Sequence, residues 1–446
     1  MITSLRCENF RCFRDTGTIE LAPLTLLVGE NNSGKSAITQ ALHLPAHTLD
    51  SEDPAVCLRL SSLDYDYGSF KDAVFQHDES LPLTLTFGTT VDVSERRGGK
   101  LKKRKEKVKV RLTYGYLLKR KEIYLDEFVI EDSQGERLSV RQSKYTEGKR
   151  VTMRGYKAQS LFIARLMERR GFTFEPRYDP FTTYARVEAK YDKDTARKLF
   201  GDVFLNFQLA ESFISSFRKL RLLGPLRDPA RRTYLYTGEL AAWVGPKGER
   251  ALPMYSALIK RAKRDDVQKV HAINNALYQL GFIKKWDLRR VEARYYEFWT
   301  QHKASLLLAN LADTGFGASQ VLPVIVSLYT SPPGSTLVYQ QPEVHLHPAA
   351  QAELGSVFAR ACTREKAVVI ETHSENLILR ILTEVAKGKL KQQDVRIYYM
   401  QPKRSGHQVL AMPLDNKGRF MREWPKGFFE ENYIESLNLF RAREEG

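Results

Sequence analysis

The chain has 446 residues, of which 42% are hydrophobic and 11% aromatic, so it can bury a sizeable core and is not disordered throughout. Its formal charge of +17 favours polyanions such as nucleic acid as partners, although such a charge can also serve solubility alone. No apolar run approaches the ~20 residues that span a bilayer, and the N-terminus has no apolar signal-peptide core. We therefore expect a cytoplasmic protein without a membrane partner.

Short strands alternate with one helix over residues 1–90. The segments "SLRCENF" and "GTIEL" alternate in hydrophobicity and predict paired strands. The segment "LTLLVGE" predicts a buried strand that enters a glycine-rich turn, and a helix follows Lys35. This region is predicted to be the first part of an α/β domain.

The middle of the chain changes composition sharply. Residues 91–155 contain "SERRGGKLKKRKEKVK", which predicts an exposed loop or hairpin tip, followed by alternating segments, so we expect a basic β-rich insertion. Apolar residues at helical spacing predict a mainly helical lobe over 156–300. Strand–helix alternation returns over 301–446, the predicted second part of the same α/β domain. The sequence thus predicts an α/β fold of the P-loop NTPase class, split by a long insertion.

The motif from Gly29 to Ser36, "GENNSGKS", fits the pattern GxxxxGK[ST] between a buried strand and a helix. Its glycines let backbone N–H groups turn toward phosphate oxygens, where the start of the following helix adds positive potential. We expect Lys35 to reach the β- and γ-phosphates of ATP and Ser36 to ligate Mg²⁺. The predicted nucleotide contacts are Gly29, Asn31, Asn32, Ser33, Gly34, Lys35, Ser36 and Ala37.

Further segments appear in a characteristic order. They are "GPLRDPARRTYLYTG", "LADTGFGASQVLPVIVSL", "LVYQQPEVHLHP", "VVIETHSENLILRI" and "WPKGFFEE". With the phosphate loop, this series resembles the ABC-type ATPases of the structural-maintenance-of-chromosomes (SMC), RecF and OLD kind, in an OLD-like branch without a C-terminal nuclease. The resemblance covers about residues 1–90 and 210–435.

The resemblance implies an ABC-type ATPase head that dimerises head to tail around Mg-ATP, as a homodimer or a higher oligomer of dimers. It implies that Gly315, Gly317 and Ser319 of the signature segment meet the γ-phosphate from the opposite subunit. The N-terminal end of a helix favours that role, although the same small residues also permit close packing. It also implies that His373 contacts the γ-phosphate, and that Glu371 approaches the metal or water.

Two glutamines stand where such ATPases carry acidic residues. In relatives the strand ends in an acid that holds Mg²⁺ through water, and a glutamate that positions the attacking water often follows. Gln340 and Gln341 occupy these places, and glutamine has no charge and cannot act as a base. We expect Gln340 to face the metal site and hydrolysis to be slow, unless Glu343 or Glu371 substitutes. Some OLD-like branches tolerate such glutamines, and an engineered ATP trap would look the same.

His345 and His347 form an HxH pair that invites a metal interpretation. Without a third ligand nearby the pattern is weak, so we assign them to the turn after the glutamines, at a dimer interface.

Basic residues mark two further segments. The run in the insertion predicts binding to nucleic-acid backbones without sequence selectivity, and the alternative is a solvated loop; its residues are Arg96, Arg97, Lys100, Lys102, Lys103, Arg104, Lys105, Lys107 and Lys109. A second cluster, Arg227, Arg231 and Arg232, fits either a contact to ATP across the dimer or support of the fold.

No acidic nuclease segment follows the ATPase motifs, so we expect effector chemistry to belong to a separate protein. The resulting hypothesis is an ATP-binding sensor or clamp in defence against phage or foreign DNA. Its alternatives are a RecF-like repair clamp and a nucleotide-gated scaffold with little hydrolysis.

Overall fold

A six-stranded sheet with a parallel core and an eight-stranded antiparallel sheet organise the chain in a computed structural model. The structure describes residues 1–53, 56–97, 100–133, 135–142, 151–154, 209, 212–235, 239–292, 294–301 and 307–425, with the backbone alone at 92–104, 136–142, 151–154, 285 and 316.

The described strands are β1 (Ile2–Phe10), β2 (Phe13–Asp15), β3 (Ile19–Glu20), β4 (Leu24–Gly29), β5 (Leu83–Arg97), β6 (Lys100–Leu117), β7 (Glu122–Asp132), β8 (Gly135–Gln142), β9 (Val151–Arg154), β10 (Leu220–Leu223), β11 (Tyr234–Leu235), β12 (Lys285–Arg290), β13 (Tyr295–Gln301), β14 (Leu308–Asn310), β15 (Thr336–Gln340), β16 (Ala367–Glu371), β17 (Val395–Gln401) and β18 (Gln408–Ala411). The described helices are α1 (Lys35–Leu49), α2 (Phe70–Ala73), α3 (Ala251–Arg261), α4 (Arg264–Gln279), α5 (Phe316–Thr330), α6 (Pro348–Ala361) and α7 (Glu375–Ala386).

The chain divides into two units. The first unit comprises residues 1–21, 36–220 and 402–409, and the second comprises 22–35, 221–401 and 410–446. None of the described helices is long and apolar enough to cross a membrane.

The antiparallel sheet belongs to the first unit and has the order β2-β1-β5-β6-β7-β8-β9, with β3 also on β1. The predicted pairing of the first two segments is confirmed, because Ser4 lies opposite Glu20. The basic run lies on paired strands rather than in a loop: β5 begins at Leu83, ahead of the predicted insertion boundary, and its pairing with β6 continues to Arg97 and Lys100. The β-rich segment therefore extends the same sheet that contains β1.

The parallel core belongs to the second unit, in the order β10-β15-β16-β4-β17-β18. Strands β4, β15 and β16 are buried along their whole length, which is the pattern of a sheet covered on both faces. The apolar core contains Leu26 and Val28 of β4 and residues of α3 to α7. This arrangement brings the ends of β4, β15 and β16 to one edge of the sheet.

The second unit also contains a small antiparallel sheet of β11, β13, β12 and β14. Strands β12 and β13 fall within the segment predicted to be mainly helical, beside helices α3 and α4. Residues 156–208, where further helices are predicted, lie outside the described residues.

Candidate nucleotide site

The phosphate loop connects the buried end of β4 to the start of α1, as the sequence predicts. Gly29 has a φ of 147°, and a Cβ placed there would lie 2.7 Å from the main-chain oxygen of Met400. Asn32 and Gly34 also have positive φ, at 59° and 96°. Glycine is therefore required at position 29 both by backbone conformation and by the closeness of β17.

The Lys35 ammonium is held against the loop. Its Nζ donates to the main-chain oxygens of Gly29 and Glu30, at 3.0 and 2.6 Å, and to Ser33 Oγ at 3.4 Å. Burial lowers the pKa of Lys35, while the charges of Glu371, Glu30 and Glu343, in decreasing order, oppose that shift. Since the first of these carboxylates lies on β16, the loop faces negative charge from the neighbouring strand.

The glutamine turn, residues 340–343, begins at the buried end of β15. Gln340 is the register partner of Glu371 across the parallel pair β15 and β16. Gln341 has a φ of 45°, and its N–H donates to the main-chain oxygen of Glu371 at 2.7 Å. The end of β15 lacks the acid that the resemblance implies, but the buried Glu371 lies beside Gln340 on β16.

Glu343 is a second buried carboxylate at the same edge, with 6% of its surface exposed. Its Oε1 accepts hydrogen bonds from Thr372 Oγ1 at 2.6 Å and from the His373 N–H at 2.9 Å. Its Oε2 is buried and has no hydrogen-bond partner among the described residues. Burial raises the pKa of Glu343, and the two bonds to Oε1 oppose the shift. The side chain thus fixes the segment that carries His373.

His373 lies between the end of β16 and the start of α7. The next residue, Ser374, caps α7 by accepting from the Leu377 N–H at 3.1 Å, and its hydroxyl donates to Gln351 Oε1 at 2.7 Å. Burial lowers the pKa of His373, and the positive charge of Lys35 lowers it further. Both effects favour the neutral imidazole, and the bonds to Glu343 and Gln351 fix the chain at His373 and Ser374.

The histidines of the HxH pair have different surroundings. His347 caps α6, because its Nδ1 accepts from the Ala349 N–H at 3.3 Å. His345 has a φ of 64° in the turn before it. Within the described parts of the chain, no cluster of three His, Cys, Asp or Glu residues has the geometry of a metal site. A helix cap accounts for His347 without a metal.

The signature segment precedes and begins α5. Gly315 is the N-cap residue, and a Cβ there would meet no atom within 4 Å, whereas one at Gly317 would lie 3.0 Å from the main-chain oxygen of His345. Ser319 is buried in the first turns of the helix. Packing against His345 therefore disfavours any side chain at position 317, whereas position 315 has room for one.

The structure places the remaining predicted residues in different surroundings. Ser36 and Ala37 continue α1 and fall in the first unit, next in sequence to Lys35, while Asn31 and Asn32 are exposed in the loop. In the basic run, Lys105, Lys107 and Lys109 are exposed, alternating with buried Glu106 and Val108. The side chains of Arg96, Arg97, Lys100, Lys102, Lys103 and Arg104 lie outside the described residues.

From the sequence, Arg227 fitted either a contact to ATP across the dimer or support of the fold, and Thr372 was assigned no role. Thr372 bonds Glu343, and Arg227 donates to the main-chain oxygens of both glutamines. The cluster of arginines in the Pro-rich segment was the available signal for Arg227. No local pattern pointed to Thr372, whose partner is 29 residues away.

Comparisons with known proteins agree with this site. Residues 1–172 match the model of an AAA ATPase domain, and residues 171–380 match one described as "AAA domain, putative AbiEii toxin, Type IV TA system". Residues 390–439 match a protein family of unknown function, DUF3696. No curated protein matches the sequence.

Solved SMC head structures show a remote likeness. An SMC head bound to the C-terminal winged-helix domain of ScpA is 9% identical, with a TM-score of 0.44, over 93% of this chain and 98% of that one. An SMC head with an extended coiled coil, bound to a ScpA domain derived from Pyrococcus furiosus, is 10% identical, with a TM-score of 0.43, over 99% of each chain. The SMC head from Thermotoga maritima is 9% identical, with a TM-score of 0.36, over 93% of this chain and 99% of that one.

The buried strand, glycine-rich loop and helix, set in a parallel sheet, define a P-loop NTPase. Residues 1–172 and 171–380 are similar to models of AAA ATPase domains, which agrees with that fold.

Proposed function

We propose that the chain binds Mg-ATP at the phosphate loop and acts as a switch that hydrolyses it slowly. The observation that carries this proposal is the loop itself: Gly29 in a conformation that a side chain would block, and Lys35 with its ammonium on main-chain oxygens. Phosphate oxygens are acceptors of the same kind and carry more charge, so they compete well for that ammonium.

The residues at this edge fit a magnesium ion. Gln340 and Glu371, register partners at adjacent strand ends, would supply an amide oxygen and the negative charge that Mg²⁺ prefers. The phosphate-loop motif predicts that the Ser36 hydroxyl would be a further ligand. An ion held by these residues would neutralise phosphate charge.

Slow hydrolysis follows from the same residues. Neither Gln340 nor Gln341 can remove a proton from water. Glu343 Oε1 holds Thr372 and the His373 N–H. Among the carboxylates, Glu371 acts most strongly on the Lys35 pKa, which favours Glu371 as the acting carboxylate. The neutral imidazole of His373 can donate its ring N–H to a γ-phosphate oxygen.

Dimerisation around ATP is the second part of the proposal. Gly315, Gly317 and Ser319 stand at the start of α5, where N–H groups and the helix dipole favour an anion. The open space around Gly315 is what we expect at a surface that another subunit contacts. The expected assembly is a homodimer or a higher oligomer of dimers.

The biological role we infer is control of a separate effector protein, a nuclease or toxin, in defence against foreign DNA. The description of the second AAA model, which names a toxin–antitoxin system, supports this role. The exposed face of Lys105, Lys107 and Lys109 favours a second candidate, a DNA-binding repair clamp. The paired glutamines favour a scaffold with very little turnover.

Light scattering with and without Mg-ATP tests the switch. We expect the wild-type mass to double with ATP, and Lys35→Ala to stay monomeric because it does not bind ATP. Gly315→Arg is expected to bind ATP and stay monomeric, since a Cβ at that position meets no atom within 4 Å and the long side chain would block the signature surface. A wild-type mass that does not respond to bound ATP would contradict the proposal.

A further inference from the structure

The buried guanidinium of Arg227 joins two parts of the site that are distant in sequence. Its Nη2 donates to the main-chain oxygens of Gln340 and Gln341, at 2.9 and 3.2 Å. Its Nη1 donates to the main-chain oxygen of Gln320 in α5, at 3.3 Å. One side chain therefore bonds both the glutamine turn and the signature helix.

Gln320 returns the contact, since its Nε2 donates to the main-chain oxygen of Arg227 at 3.3 Å. Arg227 is 6% exposed, and its Nε–H is buried without an acceptor among the described residues. Burial lowers the pKa of Arg227 to about 10, so the side chain is still cationic at pH 7. A buried charge held mainly on main-chain oxygens costs desolvation free energy. That cost makes a solvent-facing role, such as DNA contact, a poor explanation for this residue.

The same segment is attached to the signature segment at a second point. Arg232 forms a two-bond ion pair with Asp313, at 2.6 and 3.0 Å, and Asn310 Nδ2 donates to the main-chain oxygen of Arg232 at 3.3 Å. Both partners of the ion pair are exposed, so it contributes little to stability. Arg232 provides a control, because its side chain bonds Asp313 of the signature segment instead of the glutamine turn.

We propose that Arg227 is a positioning residue that transmits nucleotide occupancy from the glutamine turn to the start of α5. This inference rests on the proposed ATP binding. A nucleotide that shifts the turn moves the main-chain oxygens of Gln340 and Gln341 that are bonded to Nη2. Because the guanidinium group is planar and rigid, this fork of N–H donors also moves Nη1 and the Gln320 oxygen bonded to it. The signature residues Gly315, Gly317 and Ser319 lie within the two turns before Gln320. Lysine retains the charge but not the planar fork, so it cannot hold both ends in this way.

Hydrogen–deuterium exchange of residues 311–330, with and without Mg-ATP, tests the coupling. In the wild type we expect ATP to slow exchange there, and Lys35→Ala to remove the effect together with ATP binding. Arg227→Lys is expected to lose most of the ATP-dependent slowing while losing much less ATP affinity than Lys35→Ala. The matched control Arg232→Gln is expected to keep both.

Two results would overturn the coupling. One is full ATP-dependent slowing in Arg227→Lys, and the other is a wild type that binds ATP without any change at 311–330. If Arg227→Lys does not fold, exchange of residues 340–343 and 311–330 is compared in the wild type; ATP-dependent slowing at 340–343 without slowing at 311–330 also overturns the proposal. A wild type that binds no ATP refutes the proposed function instead, so the two failures are distinguishable.

Discussion

Gln340 and Glu371 are register partners at the ends of adjacent parallel strands, β15 and β16. The uncharged side chain stands where the resemblance to ABC-type ATPases implies an acid, and the buried carboxylate lies one strand away. Glu371 also contributes most among the carboxylates that oppose the lowering of the Lys35 pKa. The negative charge of the site is therefore present, on β16 instead of β15.

This relationship predicts the effect of restoring the acid on β15. Gln340→Glu is expected to raise ATP turnover by about tenfold or more, because a second carboxylate beside Glu371 strengthens Mg²⁺ binding near the γ-phosphate. Glu371→Gln is expected to lower turnover below the wild-type rate. Phosphate release measured at saturating Mg-ATP checks both changes. Equal rates in all three proteins would show that neither carboxylate limits hydrolysis.

The same substitution has a readout that does not depend on turnover. Two carboxylates at register positions repel each other and resist ionisation without a cation. Gln340→Glu should therefore melt at a lower temperature than the wild type in EDTA and regain stability on addition of Mg²⁺. Gln341→Glu is the matched control, since it follows the strand end and is not the register partner. A magnesium response equal to that of wild type would argue against a shared ion site.

The pH dependence of stability follows from His373. Its folded pKa lies below the ordinary 6.5, because burial and Lys35 disfavour the charged ring. The unfolded chain therefore takes up this proton first as the pH falls below 6.5, so stability is lost from there through the folded pKa. Urea unfolding of wild type and His373→Gln at pH 7.5 and 5.5 checks this. The variant should lose less stability than wild type between these values, and a larger loss would reverse the sign of the argument.

Alanine substitutions at two glycines distinguish a steric requirement from a functional one. Gly29→Ala is expected to destabilise the chain by about 1–3 kcal/mol, because φ is 147° and a Cβ meets Met400 O at 2.7 Å. Gly315→Ala is expected to leave stability unchanged, since a Cβ there meets nothing within 4 Å. Denaturant midpoints measure both. If Gly315→Ala folds normally but no longer dimerises with ATP, the loss belongs to the signature surface.

The prediction of DNA binding rests on the exposed face of β6. Replacing Lys105, Lys107 and Lys109 with glutamine is a sharper test than deletion, because deletion would also remove strand pairing. We expect weaker binding to duplex DNA and a salt slope lower by about 0.9 for each lost phosphate contact. Lys119→Gln with Lys121→Gln, also exposed, is the control. An unchanged salt slope in the triple variant would show that this face does not contact the DNA phosphates.

The phosphate loop could be predicted from the sequence because its determinants are local. Gly29, Gly34 and Lys35 lie within seven residues, between a strand and a helix whose patterns are themselves local. The basic run was harder to interpret, since charge and a Gly-Gly pair indicate a loop, whereas continued pairing of β5 with β6 decides the backbone.

The glutamine turn depends on contacts that no spacing reveals. Glu371 meets Gln340 through strand register, and Arg227 reaches Gln340 across 113 residues of sequence. Such partners are set by the order of strands in the sheet. Candidate residues could be named from the sequence, but their grouping required the fold.

Equilibrium binding of ATP to the wild type and to Lys35→Ala, each with and without Mg²⁺, tests the central claim most directly. The claim predicts saturable binding of one ATP per chain, strengthened by Mg²⁺, and an affinity at least about 100-fold weaker in the variant, as expected for the loss of two charge-assisted hydrogen bonds. Equal affinities in the two proteins would contradict it, because ATP would then bind somewhere other than the phosphate loop.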